Sequence, residues 1–159
     1  MKTKRFFITA AVFVTLSLIM VPCSNSTSLG SNNTLNTGFR GIKWFTKKSQ
    51  ISGLYKPTNF DFGQYIFFRK NENNSLGDIP LTAIQYHFNE NEEFDYVTIS
   101  FEKAHFERII EYFTNILGRY SSTNLNVVWD LPLIKVTIWN GGPVVIFPKK
   151  EKGATNSGL

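Results

Sequence analysis

The sequence predicts an α+β domain: an antiparallel sheet of about 6–7 strands with one long amphipathic helix packed on one face. Three observations predict it. Period-2 strand patterns stand on both sides of a single segment of helical period. Two of the strand patterns are joined by a short polar loop and read as an antiparallel hairpin. The helical segment has one apolar stripe, which has to be buried against the apolar face of a sheet.

Along the chain, "GFRGIKWF" (38–45) reads as a first strand buried on one side through Ile42 and Trp44. Residues 46–63 are rich in turn formers, with Gly53, Pro57 and Gly63 as punctuation. "QYIFFRK" (64–70) is a second strand, and "NENNSLGD" (71–78) a plain polar loop. "PLTAIQYHF" (80–88) and "FDYVTISF" (94–101) flank the five residues "NENEE" and form the hairpin. Ile84, Tyr86 and Phe88 share one face of its first strand; Val97, Ile99 and Phe101 share one face of its second.

The period changes in "EKAHFERIIEYFTNILG" (102–118). Phe106, Ile109, Ile110, Phe113, Ile116 and Leu117 make one helical stripe, with Glu107, Arg108, Glu111 and Asn115 facing away. Gly118 stands where a left-handed C-cap ends such a helix. Three strands close the domain: "NVVWDL" (126–131), "PLIKVTIW" (132–139) and "PVVIFPK" (143–149). A reversal is expected at Asp130-Leu131-Pro132 and a tight turn at "NGG" (140–142).

The first 22 residues have the layout of an export signal rather than of a fold. Lys2, Lys4 and Arg5 precede sixteen uncharged residues, Phe6 to Val21. As a helix that run spans about 24 Å, short of the roughly 30 Å hydrocarbon core, which suits a signal better than a transmembrane span. The chain carries 17 Lys+Arg and 12 Asp+Glu. Without the signal 14 basic residues face 12 acids, a net of +2, so charge gives no reason to expect nucleic acid. The single cysteine, Cys23, follows Met20-Val21-Pro22 in the manner of a loosened lipobox and is the candidate lipid attachment site. Residues 24–37, "SNSTSLGSNNTLNT", have the composition of a flexible tether, and acylation would remove a lone thiol from an oxidising compartment. Cleavage near Ser24-Asn25-Ser26, giving a soluble periplasmic or secreted protein, and an uncleaved anchor are the alternatives. The expected organisation is a signal at 1–22, a Ser/Asn/Thr tether at 23–37, one α+β domain at 38–149 and a disordered tail at 150–159. The implied location is the bacterial cell envelope.

"GFRGIKW", followed by an extended stretch, a hairpin, a helix and a closing strand set, resembles a family of small exported bacterial (lipo)proteins whose mature domain opens F-R-G-I-x-W-G-T. The motif covers Phe39 to Trp44 and Thr46; Phe45 stands where the pattern has glycine. The resemblance implies a fold and a compartment, and no activity.

No reaction chemistry is readable. The histidines, His87 and His105, have no partner at metal-ligand spacing and read as partly exposed. Ser100 has no nucleophile context, and "NGGP" is too short for a dinucleotide fingerprint. No catalytic residue, metal or cofactor is therefore assigned. If the helix covers one sheet face, the other carries Gln85, His87, Tyr96, Thr98, Lys135 and Trp139, with Ser100 and Thr137. Aromatics set among polar donors suit a binding surface, and this is the candidate face for an envelope protein or cell-wall partner, the alternative being a solvated antiparallel face with ordinary cross-strand Thr and aromatic pairs. A small hydrolase or metal-dependent enzyme using His87 with nearby acids is the alternative, as is an inhibitor or immunity-type protein.

Overall fold

The computed structural model describes residues 32–58 and 63–150. Eight strands form one antiparallel sheet: β1 (Leu54–Tyr55), β2 (Ile66–Arg69), β3 (Ala83–Phe88), β4 (Phe94–Ser100), β5 (Ser121–Ser122), β6 (Asn126–Asp130), β7 (Ile134–Trp139) and β8 (Val144–Pro148). Their spatial order is β1-β2-β3-β4-β8-β7-β6-β5. Two four-stranded meanders thus meet at the β4–β8 pair, each built from chain neighbours. Two helices flank this order, α1 (Asn32–Thr37) before β1 and α2 (Phe106–Leu117) between β4 and β5. The α+β antiparallel architecture is as expected; the sheet has one strand more than the upper expectation.

The central hairpin is where the alternation places it. β3 and β4 are joined by residues 89–93, and Ile84 faces Ile99 while Tyr86 faces Val97. The register continues through Ile99↔Val144 and Val97↔Ile146 into β8, then Ile146↔Val136 into β7 and Val136↔Trp129 into β6. These residues form the inner face and are buried. α2 buries Ile109, Phe113 and Leu117 on this face, each contributing about 1.5–3 kcal/mol in apolar area removed from water. Phe113 packs at 5.7 Å on Trp129, whose indole N–H donates to the Gly118 carbonyl at 3.0 Å. α2 is shorter than the helical period suggested, since Lys103–His105 form a 3-10 turn before it. Gly118 ends it at φ 83, ψ −149, extended with positive φ rather than left-handed helical, a region open only to glycine.

Four expectations are corrected. Residues 38–45 are not one strand: Gly38–Phe39 and Ile42–Lys43 pair as a two-residue ribbon, turned by Arg40 (φ 48) and Gly41 (φ 79). Two positive-φ residues in a two-residue loop make a type I′ hairpin, which a period-2 reading cannot see. It buries Phe39 as well as Ile42 and Trp44. Phe45 follows at φ 63, so a phenylalanine occupies a backbone state that glycine takes without strain. The tether does not reach residue 37. α1 buries Leu35 fully, and the Trp44 indole donates to the Leu35 carbonyl at 2.8 Å while stacking on Phe94 at 4.8 Å. Residues 71–78 are not a plain loop: Ser75–Leu76 pairs with Ile79–Pro80 in a second ribbon, and Leu76 and Ile79 are buried. The first hairpin strand consequently begins at Ala83 rather than at Pro80. Arg108 reaches Asp78 of this ribbon at 2.8 Å, tying it to α2. The fourth correction, at His87, belongs to the outer face below.

Cys23, the rest of the expected tether to residue 31, the signal segment and residues 151–159 lie outside the described residues. Among the described residues no helix is long and apolar enough to cross a membrane.

Candidate functional site

Alternation puts every second strand residue on the outer face, which no element among the described residues covers. Its side chains fall into rows across the strands. One row runs from Ile66 to His87 and Tyr96, then to Phe147, Lys135 and Asp130. The next holds Gln85, Thr98, Val145, Thr137 and Val128. A third holds Ala83 with Ser100 and, two strands further on, Trp139 opposite Asn126. The six face residues expected from sequence thus do share one surface. They are not one cluster, however: Lys135 and Trp139 are four residues apart on β7, roughly 13 Å.

The first row is the most ordered part of this face. His87 stacks on Tyr96 at 4.0 Å and 13°, and Tyr96 packs at a 34° tilt against Phe147 at 5.3 Å. Phe147 is 38% exposed and Trp139 49%, large apolar groups in contact with water. His87 is not the partly exposed histidine expected: it is buried to 7% exposure. Its cross-strand partners are Ile66 and Tyr96, the latter stacked on the ring, neighbours that its own alternation does not reveal. Its Nε2 has no hydrogen-bond partner, and burial alone pulls its pKa from 6.5 down to about 4. It is therefore neutral at physiological pH, and no charged group contributes to its shift. That is poor support for a histidine working with nearby acids. Burial also raises the Tyr96 hydroxyl above its ordinary value, helped by the Asp95 charge. Among the described residues no group of three or more His, Cys, Asp or Glu could hold a metal ion.

A polar centre that sequence reasoning missed lies beneath the loop after β2. Arg40, at the ribbon turn, donates to Glu72 Oε1 at 2.8 Å, to the Ser75 carbonyl at 2.6 Å and to the Asn73 carbonyl. The Tyr86 hydroxyl donates to Glu72 Oε2 at 2.6 Å. The Arg40 and Glu72 side chains are only 14% and 12% exposed, and Tyr86 is fully buried. Burial first, then the hydrogen bond to Glu72 and its negative charge, raise the Tyr86 hydroxyl well above its ordinary value. Charge-assisted bonds of this kind offset the cost of holding arginine at positive φ, of order 1–2 kcal/mol. The signal for this centre was the arginine inside the "FRGI" turn, which only the paired ribbon makes intelligible.

This centre fixes one wall of a 610 Å³ cleft at the end of the sheet. Tyr55 and Phe68 form its aromatic side, their rings 6.0 Å apart, and Tyr55 is 40% exposed. Arg69, Lys70, Asn71 and Asn74 line the side made by β2 and its loop, and Thr82 lines the side at β3. No family model, no curated protein and no solved structure matches this chain.

Proposed function

We propose that this protein is an exported, lipid-tethered component of the bacterial envelope that binds a protein or cell-wall partner through its outer sheet face. One observation carries the reading: the aromatic row His87–Tyr96–Phe147, continued by Lys135, on a face that no described element covers. Large aromatic contacts beside directional polar groups are the composition of binding surfaces, and exposed apolar area of this kind is where partners dock. The export-type N-terminus, Cys23 and the resemblance around Phe39–Trp44 support the location. The neutral, buried His87 favours binding over catalysis as the role of this face.

The test is site-specific photo-crosslinking in living cells. A photoreactive phenylalanine at Phe147 or Trp139 is expected to give one discrete adduct. The same probe at Glu111, on the exposed side of α2, is expected to give none. Equal adducts from all three positions, or none from the outer face, would reject this surface.

A further inference from the structure

We infer that the cleft between Tyr55 and the 70–74 loop is a binding site for an acidic saccharide. Its 610 Å³ lies within the range of small-molecule sites, about 300–1,000 Å³, and has room for a disaccharide. The assignment does not depend on the outer-face reading, since it rests on the chemistry of the cleft walls.

The aromatic wall comes first. Tyr55 is exposed on β1 and tilts at 42° against Phe68, so the two rings present an apolar shelf at the cleft mouth. Such a shelf suits the C–H face of a pyranose ring, which is flat, apolar and flanked by hydroxyls. The hydroxyls need donors and acceptors, and the opposite wall supplies them. Asn71, Asn74 and Lys70 line it, and their side chains make no hydrogen bond to the described residues. Thr82 adds a hydroxyl. Side-chain amides, which donate and accept at once, match vicinal sugar hydroxyls better than one-way donors do.

Charge then selects among sugars. Arg69 and Lys70 are the cations lining the cleft, and Glu72 is the one acid among the lining residues. Both carboxylate oxygens of Glu72 are already engaged, one by Arg40 and one by Tyr86. Its charge is thus offset by Arg40 from below, and the field at the mouth is positive. An anionic group on the sugar, a carboxylate or a phosphate, completes the match.

The cleft wall is also held in advance of any ligand. Arg40 pins the backbone at Asn73 and Ser75, the Leu81 amide donates to the Asn74 carbonyl at 2.9 Å, and Lys70 donates its amide to the Gly53 carbonyl at 2.8 Å. A wall fixed on both sides loses little freedom when it binds.

Calorimetric titration of the full-length chain in detergent micelles tests this with named probes. They are chitobiose, the N-acetylglucosamine–N-acetylmuramic acid disaccharide, N-acetylglucosamine 1-phosphate and a capped tri-glutamate peptide. At least one acidic sugar is expected to bind about tenfold or more tightly than chitobiose. Which of the two does so distinguishes a carboxylated from a phosphorylated source. Lys70→Gln, which keeps a hydrogen-bonding side chain but removes one of the two lining cations, is expected to cut that preference severalfold with a smaller loss for chitobiose, and Tyr55→Ser to weaken every sugar. Both side chains are exposed, so both variants should melt with the parent protein. Three results would overturn the assignment: no advantage of either acidic sugar over chitobiose, affinities untouched by both substitutions, or a tri-glutamate peptide binding as well as the sugars.

Discussion

Replacing Glu72 tests whether the Arg40–Glu72–Tyr86 centre holds the two halves of the N-terminal region together. Glu72→Ala removes the acceptor of the Tyr86 hydroxyl and the counter-charge of Arg40 in one step. An orphaned buried hydroxyl costs about 1–3 kcal/mol. Breaking a fully buried ion pair costs about 3–5 kcal/mol, but Arg40 keeps the Asn73 and Ser75 carbonyls and some solvent access, which places the total near 3 kcal/mol. Tyr86→Phe alone leaves Glu72 paired with Arg40 and should cost about 1–2 kcal/mol. The double variant is the informative one. With no carboxylate to meet, the Tyr86 hydroxyl is a liability, so Tyr86→Phe should recover about 1 kcal/mol in the Glu72→Ala background. The cycle then gives a coupling of about 2.5 kcal/mol, read from urea unfolding followed by fluorescence, with unchanged m-values in all four proteins. Additivity within about 0.5 kcal/mol would refute the centre as a connected unit.

Other perturbations follow from the same geometry. His87 has a folded-state pKa below its unfolded value, so it contributes stability that is fully present above about pH 6.5 and lost as pH falls toward 4. At pH 5 the loss relative to pH 7 should be about 2 kcal/mol, and His87→Phe, which keeps the stack on Tyr96, should be less acid-sensitive by that amount; equal acid sensitivity in denaturant midpoints would contradict this. Gly38→Ala brings a methyl to 2.0 Å from the Ile42 carbonyl oxygen, a backbone atom that cannot swing aside. It should destabilise the domain by about 1–3 kcal/mol or more, and a neutral result in urea melts would contradict the ribbon pairing. Leu35→Ala should cost about 2–4 kcal/mol if α1 belongs to the folded domain, whereas a free tether would register almost nothing.

What could be read from the residues is what depends on period. The 80–101 hairpin and the α2 stripe are local patterns, and the structure has both, with Ile84, Tyr86, Val97 and Ile99 inward as alternation requires. The outer face followed from the same rule, which puts Gln85, His87, Tyr96, Thr98, Lys135 and Trp139 on one side of the sheet but not in one cluster. What failed depends on contacts between distant segments. Leu35 lies in a Ser/Asn/Thr stretch whose composition says tether, and only Trp44 and the core behind it make six residues of that stretch part of the fold. Arg40 and Glu72 are separated by 32 positions, with β1 and β2 between them, so neither charge hinted at the other. The burial of His87 likewise goes with its cross-strand neighbours, Ile66 on β2 and the stacked ring of Tyr96 on β4, which its own alternation does not show. The cleft escaped notice because its walls come from three strands and a loop that looked merely polar.

The outer-face and envelope readings both require that this chain leave the cytosol, and the mass of the N-terminal peptide from protein purified out of the producing cell measures that most directly. The account predicts a peptide that begins at Cys23 and carries the added mass of a diacylglycerol. An unmodified peptide still starting at Met1, recovered from the soluble cytosolic fraction, would contradict it.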